Sequence, residues 1–157
     1  MKFNLSDFIE KNNGAIKDII VTNEKIIFEN NEFLYINKCK LLFNKVTDGC
    51  LVKIDMKYTL EIICDRCLKE LNSSYSSTFY ASIIFTNIIN KSEISNIDGD
   101  LVLKTNSNEV DLNEIIRQHE LSSRPMKYIC SNDCKGLCNL CGVNLNINIC
   151  KCQKNLL

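Results

Sequence analysis

Between positions 130 and 152 the chain reads Cys-Ser-Asn-Asp-Cys-Lys-Gly-Leu-Cys-Asn-Leu-Cys-Gly-Val-Asn-Leu-Asn-Ile-Asn-Ile-Cys-Lys-Cys, so six of its ten cysteines crowd one short stretch. Cys138 and Cys141 stand two residues apart, a spacing that lets one tight turn aim both sulfurs at a single metal, and Gly142 behind them suits the positive φ such a knuckle needs. Cys150 and Cys152 supply a second close pair. Together these four meet the tetrahedral, all-thiolate requirement of structural Zn2+. Cys64 and Cys67 form another two-spaced pair, and Cys130 and Cys134 a looser one, which leaves enough ligands for a second zinc. One zinc, two zincs and other partitions of the eight cysteines all stay open on spacing alone. Cys39 and Cys50 have no close cysteine neighbour and read as small buried hydrophobes.

A catalytic zinc wants three protein ligands and an open position, usually with His or a carboxylate among them, whereas here thiolates fill the shell. No HExxH, deaminase-type His-x-Glu, phosphate-cradling Gly-rich loop or Ser/His/Asp arrangement occurs. The Cys64-Asp65-Arg66-Cys67 pair lacks the following helix that thioredoxin-like chemistry wants. The chain therefore reads as a non-enzyme with no small-molecule substrate. His119, the single histidine, falls on an apolar helix face and reads as packed and hydrogen-bonded.

The elements that must position these ligands are mainly strands. From Val52 every second residue is apolar through Ile62, the pattern of a half-buried strand, and alternation resumes from Leu71 to Phe85. Thr47-Asp48-Gly49 marks a hairpin turn before the first of these, and Cys64–Cys67 occupies the turn between them. Further strands are expected at Ile16–Val21, Lys25–Glu29, Glu32–Asn37 and Cys39–Val46. A short amphipathic segment with Leu5, Phe8 and Ile9 opens the chain, with Ser6 as its N-cap. From Thr86 to Val110 periodicity fades, which suggests a loop or linker with only Leu101-Val102-Leu103 as a short strand. A helix over 111–124 follows, capped by Asp111 with Glu114 bonding back, and Pro125 bars its continuation.

The expected fold class is α+β: an antiparallel β meander or partly closed barrel, with a C-terminal helix and a cysteine-rich zinc segment. We read 1–157 as a single domain, with 1–85 mainly β, 86–110 loop or linker, 111–124 helix and 125–157 the cysteine-rich segment. At 157 residues, 45% hydrophobic and 24% charged, the chain is long enough to bury an ordinary core. No run of eighteen apolar residues offers a membrane span, and the polar N-terminus lacks a secretory core, so the expected location is the cytoplasm, where cysteines stay reduced and serve metals.

The residues also resemble a known family. Cys64-x-Arg66-Cys67-Leu68 after a strand, Asp111-Leu112 opening a helix, and Pro125-Met126-Lys127 ahead of Cys130 match the bacterial YceD family, the large ribosomal RNA subunit accumulation proteins. So does the run Cys134-Lys135-Gly136-Leu137-Cys138-x-x-Cys141-Gly142-x-Asn144-Leu145-Asn146, closing with Cys150-x-Cys152. The proline that commonly follows the first cysteine of the Gly-Leu-Cys motif is Asn139 here. The resemblance implies a role in synthesis, processing or stability of large-subunit ribosomal RNA, hence in ribosome assembly. It implies as partner a pre-ribosomal particle or a large-subunit ribosomal protein, with direct rRNA contact open.

Charge bears on the partner. Nineteen basic and nineteen acidic side chains cancel, which excludes a binder held mainly by phosphate neutralisation. Candidate RNA or partner contacts near the metal segment are Arg66, Lys69, Arg124, Lys127, Lys135, Lys151 and Lys154, but Asp65, Glu70, Glu120 and Asp133 are interleaved. Each zinc held by four thiolates adds a charge of about −2, which shifts the expected contact from bare RNA toward a basic ribosomal protein. The other reading is a zinc-ribbon nucleic-acid-binding module linked to transcription or RNA metabolism.

Overall fold

A computed structural model describes residues 1–28, 33–89, 91–97 and 99–152. The elements in chain order are β1 (Lys2–Asn4), α1 (Ser6–Ile9), β2 (Ile16–Val21), β3 (Glu24–Ile27), β4 (Phe33–Val46), β5 (Gly49–Ile63), β6 (Glu70–Phe85), β7 (Glu93–Ile97), β8 (Asp100–Thr105), β9 (Glu109–Asp111) and α2 (Asn113–Ser123). Seven strands form one sheet in the order β2-β4-β5-β6-β8-β7, with β3 also paired to β4, while β1 and β9 make a separate two-stranded ribbon. The protein is mostly β, and its large sheet is open, with β2 and β7 as edges, not a closed barrel.

The chain divides into two compact units. The first comprises Met1–Thr59 and Ser74–Arg124, and the second Leu60–Ser73 and Pro125–Leu157. The boundary therefore falls within β5 and β6, so that 60–73 groups with the cysteine-rich segment expected at 125–157.

In the first unit, alternation along β5 buries Val52, Ile54, Met56 and Tyr58 and turns Leu51, Lys53, Asp55 and Lys57 outward. β4 runs through the position where two strands are expected, at the cost of one irregularity: Asn37 and Lys38 are both exposed between buried Ile36 and Cys39. There the pairing partner changes, from β3 opposite Phe33–Ile36 to β2 opposite Cys39–Asn44. Cys39 and Cys50 are 0% and 1% exposed, and burial pushes both thiols up to about 11, so each packs as a neutral apolar group.

The largest difference from expectation lies in 86–110, where three strands replace a loop. β8 pairs parallel to β6 and antiparallel to β7, so Leu101, Val102 and Leu103 are buried on both faces. A strand covered on both sides shows no alternation, which is why the periodicity fades. The caps also differ. Asp111 belongs to β9 and is paired with Lys2, so Leu112 takes the N-cap position of α2, and Asp111 instead accepts the Asn113 N–H at 3.0 Å. Glu114 turns to Arg117, with bonds of 2.6 and 2.7 Å. Ser6 is the first residue of α1, and its own N–H donates to the Asn4 side chain. His119 packs as expected: its ring stacks on Phe79 with centroids 3.6 Å apart, Ser77 Oγ lies 2.8 Å from Nε2, and burial holds its pKa down.

Gly49 does not supply a left-handed turn residue. It opens β5 where a Cβ would stand 1.8 Å from the Ile83 carbonyl oxygen, so the sheet itself excludes a side chain there. Gly49→Ala should lower stability by at least about 1–3 kcal/mol, read as a lower urea midpoint with an unchanged slope.

Candidate metal centres

The eight clustered cysteines resolve into two quartets, both within the second unit. Cys64, Cys67, Cys130 and Cys134 form one and Cys138, Cys141, Cys150 and Cys152 the other, with all ligand sulfurs of a quartet within 4.8 Å of one another.

The first quartet starts from the turn after β5. Cys64 N–H donates to Lys69 O and Leu68 N–H to Cys64 O, both at 2.9 Å, closing a knuckle around Cys64 and Cys67. Leu68 takes φ +56°, a left-handed conformation unusual for leucine. A two-point clamp recruits the later segment: Asp65 N–H donates to Tyr128 O at 2.8 Å, and Tyr128 N–H returns a 2.7 Å bond to Asp65 Oδ2. Cys130 thereby arrives beside Cys64, onto whose sulfur its N–H donates at 3.3 Å. Sulfur separations are 3.9 Å for Cys64–Cys134 and 3.6 Å for Cys67–Cys130. Cys64, Cys67 and Cys134 are buried, with Leu71 packed against them.

The second quartet is built on the Cys138–Cys141 knuckle. Gly142 N–H donates to Cys138 O at 2.9 Å, and Gly142 has the expected positive φ of 70°. Turn bonds from Ile147 and Asn148 N–H to Asn144 O bring Cys150 back to 3.2 Å from Cys138 and 3.6 Å from Cys141. This quartet is more open: Cys141 is exposed and the other three are half-buried.

Two asparagines tie the quartets together, and spacing arguments about cysteines do not find them. Asn144 Nδ2 donates to Cys67 O at 3.2 Å, and Asn146 Nδ2 to the Cys134 sulfur at 3.4 Å, while Asn146 Oδ1 accepts Lys135 N–H at 2.8 Å. Their place in the family pattern, one short polar residue on either side of Leu145, marks the positions but not these bonds. Gly136, at φ +73°, lets Leu137 N–H reach Arg66 O at 3.1 Å, where a Cβ would lie 3.0 Å from that same oxygen.

These sulfurs fit a metal. A regular tetrahedron of sulfurs about 2.3 Å from zinc has edges of roughly 3.8 Å. The observed separations of 3.2–3.9 Å bracket that edge and lie far from the ~2.0 Å of a disulfide. Amide donors favour thiolate. Burial pushes the Cys64 thiol up, but N–H groups of Cys130, Cys67 and Arg66 outweigh it and hold it at about 6. The Cys141 and Leu140 N–H groups hold Cys138 at about 6 as well. Their neighbours move the other way. Cys130, facing Cys134, and Cys152, facing Cys141, are each pushed up to about 12.

The basic candidates separate. Arg66, Lys69, Lys127, Lys135 and Lys151 are exposed in the second unit, and Arg66 Nη1 also donates to Cys134 O at 3.2 Å. Arg124 belongs to the first unit, where it bonds the 2%-exposed Glu120 carboxylate at 2.7 Å and lies 5.1 Å from the Phe28 ring. Lys154 lies outside the described residues.

An open sheet with one long helix, joined in sequence to a compact unit holding two four-cysteine clusters, defines a β-rich protein with candidate metal centres. A family model described as large ribosomal RNA subunit accumulation protein YceD matches residues 52–156, about two thirds of the chain and both quartets. The chain belongs to the YceD family. No curated protein and no solved structure matches it. The family description names an accumulation factor and not an enzyme, and implies a role connected with large-subunit ribosomal RNA. No helix among the described residues is long and apolar enough to cross a membrane.

Exposure predicts an order of reaction. Without added chelator, iodoacetamide under native conditions should modify Cys141 first and the first quartet later, with Cys39 and Cys50 modified only on unfolding. Peptide mass mapping against time reads this order, and early labelling of Cys64 contradicts the burial described above.

Proposed function

We propose that this chain is a non-enzymatic factor for the synthesis, processing or stability of large-subunit ribosomal RNA, stapled by two structural zinc ions and acting in the cytoplasm on pre-ribosomal particles. The observation that carries the reading is the family match across 52–156, which contains all eight quartet cysteines. Zinc suits the donor set, since four thiolates in tetrahedral spacing select a soft, redox-inert cation and leave no open position for catalysis. Cys64, Cys67, Cys130 and Cys134 hold one ion, and Cys138, Cys141, Cys150 and Cys152 the other.

The second unit suits a basic, partly apolar protein partner. Its described residues carry five basic side chains (Arg66, Lys69, Lys127, Lys135, Lys151) against four acidic ones (Glu61, Asp65, Glu70, Asp133). One zinc centre of charge about −2 reverses that excess and two make the unit clearly anionic. Leu140, Ile147 and Ile149 stand 69–93% exposed in the same segment. Exposed aliphatics beside anionic centres fit a ribosomal protein better than bare RNA.

Native mass spectrometry of the full chain should count two zinc ions. Cys138→Ser with Cys150→Ser should retain one. Thiols that stand near 12, as at Cys130 and Cys152, must lose their protons on binding, so zinc affinity should fall as pH drops and rise as pH increases. One ion in the unmodified protein would overturn the two-site arrangement.

The cellular role is read separately. Cells lacking the protein should show depleted large-subunit ribosomal RNA and fewer large particles on sucrose gradients. Profiles identical to those of cells that contain it would sink the functional reading.

A further inference from the structure

The candidate contacts chosen from sequence all crowd around the metal segment, yet the first unit presents a different surface. On the solvent face of β4, β5 and β6 stand Lys38, Lys40, Lys53 and Lys57, with Ser76 and Thr78 beside them. Side-chain bonds establish that these residues share one face: Thr78 Oγ1 donates to Asp55 at 2.6 Å, and Asn37 and Thr59 bond each other at 3.2 and 3.4 Å. Lys38, Lys40, Lys57, Ser76 and Thr78 line one shallow depression.

Two of the carboxylates on this face are matched. Asp18 lies 3.7 Å from Lys40 and Asp55 lies 3.4 Å from Lys53, whereas Lys25, Lys38 and Lys57 have no carboxylate in ion-pair reach among the described residues. A net positive charge remains where the whole chain shows none.

Aromatic rings interleave with these cations. Tyr80 is 52% exposed on the same face of β6. At the other end, half-buried Phe33 and Tyr35 lie with centroids 6.3 Å apart, and Lys25 Nζ sits 3.5 Å from the Phe33 centroid and 5.3 Å from that of Tyr35. Lysines on an exposed sheet face, with aromatic rings and hydroxyls beside them, match what an unpaired nucleic-acid strand needs: cations for phosphates, ring faces for bases, hydroxyl donors and acceptors for base edges and 2′-OH groups. Exposed aliphatics on this face, Ile20 beside Lys40 and Leu51 on β5, flank the lysines.

We propose that the solvent face of the first unit's sheet binds single-stranded RNA, with Lys38 and Lys57 on the phosphates and Tyr80 and Tyr35 stacking bases. This rests on the ribosomal-RNA reading above and deepens it by assigning RNA to a surface of the first unit. The anionic centres belong to the second unit, and the basic face to the first.

Fluorescence anisotropy of the full chain with a labelled oligouridylate of roughly 12 nucleotides tests this, a length within the site sizes of known single-strand binders. Binding should appear at low salt and weaken linearly in log–log form as salt rises. Lys38→Gln with Lys57→Gln should weaken it at least about tenfold and reduce the salt slope by about 1.4, or about 0.7 per lost phosphate contact. Tyr80→Ala should weaken it about tenfold with the slope unchanged, because stacking releases no counterions. Tyr35→Ala should act similarly, and Tyr80, being exposed, keeps the test valid if Tyr35→Ala unfolds. Duplex RNA of equal length should bind more weakly. The Lys127→Gln, Lys135→Gln, Lys151→Gln triple variant should bind like the unmodified chain.

Three results would each overturn the proposal: no binding at low salt, duplex bound as tightly as single strand, or binding lost in the second-unit variant and kept in the sheet variants. The gradient comparison described above uses no RNA-binding measurement, so failure of the cellular role and failure of this surface are separately visible.

Discussion

Like charges do not gather without a reason. Four sulfurs within 4.8 Å of one another repel as thiolates, so each quartet needs either retained protons or a cation at its centre. The second unit depends on how that repulsion is relieved, because its described residues contain no regular element beyond the ends of β5 and β6. Its buried cluster is little more than Cys64, Cys67 and Cys134 with Leu71 and Cys130 against them. A core that small leaves the unit marginal by hydrophobic burial alone. Zinc in small tetrathiolate peptides contributes ~10–16 kcal/mol, enough to decide the matter. The hydrogen bonds of Asp65, Asn144 and Asn146 then have a clear part: they hold the sulfurs near tetrahedral spacing and so reduce what the ion must reorganise.

Some of this was legible in the residues and some was not, for physical reasons. β5 could be read because its two faces meet different solvents, and chemistry alternates with them. Cysteine pairs could be read because close spacing of a rare, reactive residue has few structural alternatives. β8 could be read only as the short run Leu101–Leu103, without its neighbours, since burial on both faces erases alternation and its parallel pairing to β6 is a non-local event. The capping role of Asp111 failed for a related reason: a good cap residue was already committed as the last residue of β9. Gly49 was read as a turn residue from its Asp-Gly setting, but the constraint comes from the Ile83 carbonyl more than thirty positions away. Asn144 and Asn146 stand out from the many other asparagines of this chain only through the family pattern, which marks the positions but not the hydrogen bonds they make.

Charge shows the same limit of averages. Equal counts of acids and bases describe a whole molecule, but a partner meets one face at a time. Lys38 and Lys40 on β4 lie thirteen or more residues before Lys53 and Lys57 on β5 when read in order, yet folding sets them on one face. Clusters near the cysteines were conspicuous because they are local in the chain. The face that carries unmatched cations is conspicuous only in space.

The partners of Cys64 and Cys67 lie far downstream, 70 residues on for Cys134 and 63 for Cys130. During synthesis the hairpin turn therefore emerges with two thiols that have nothing to bind, and it waits several seconds at ordinary elongation rates. A shortened product ending before residue 130 exposes an incomplete cluster, open to oxidation and to quality-control proteases. The first quartet is thus a long-range closure: the knuckle is completed only in chains that have been made past Cys134.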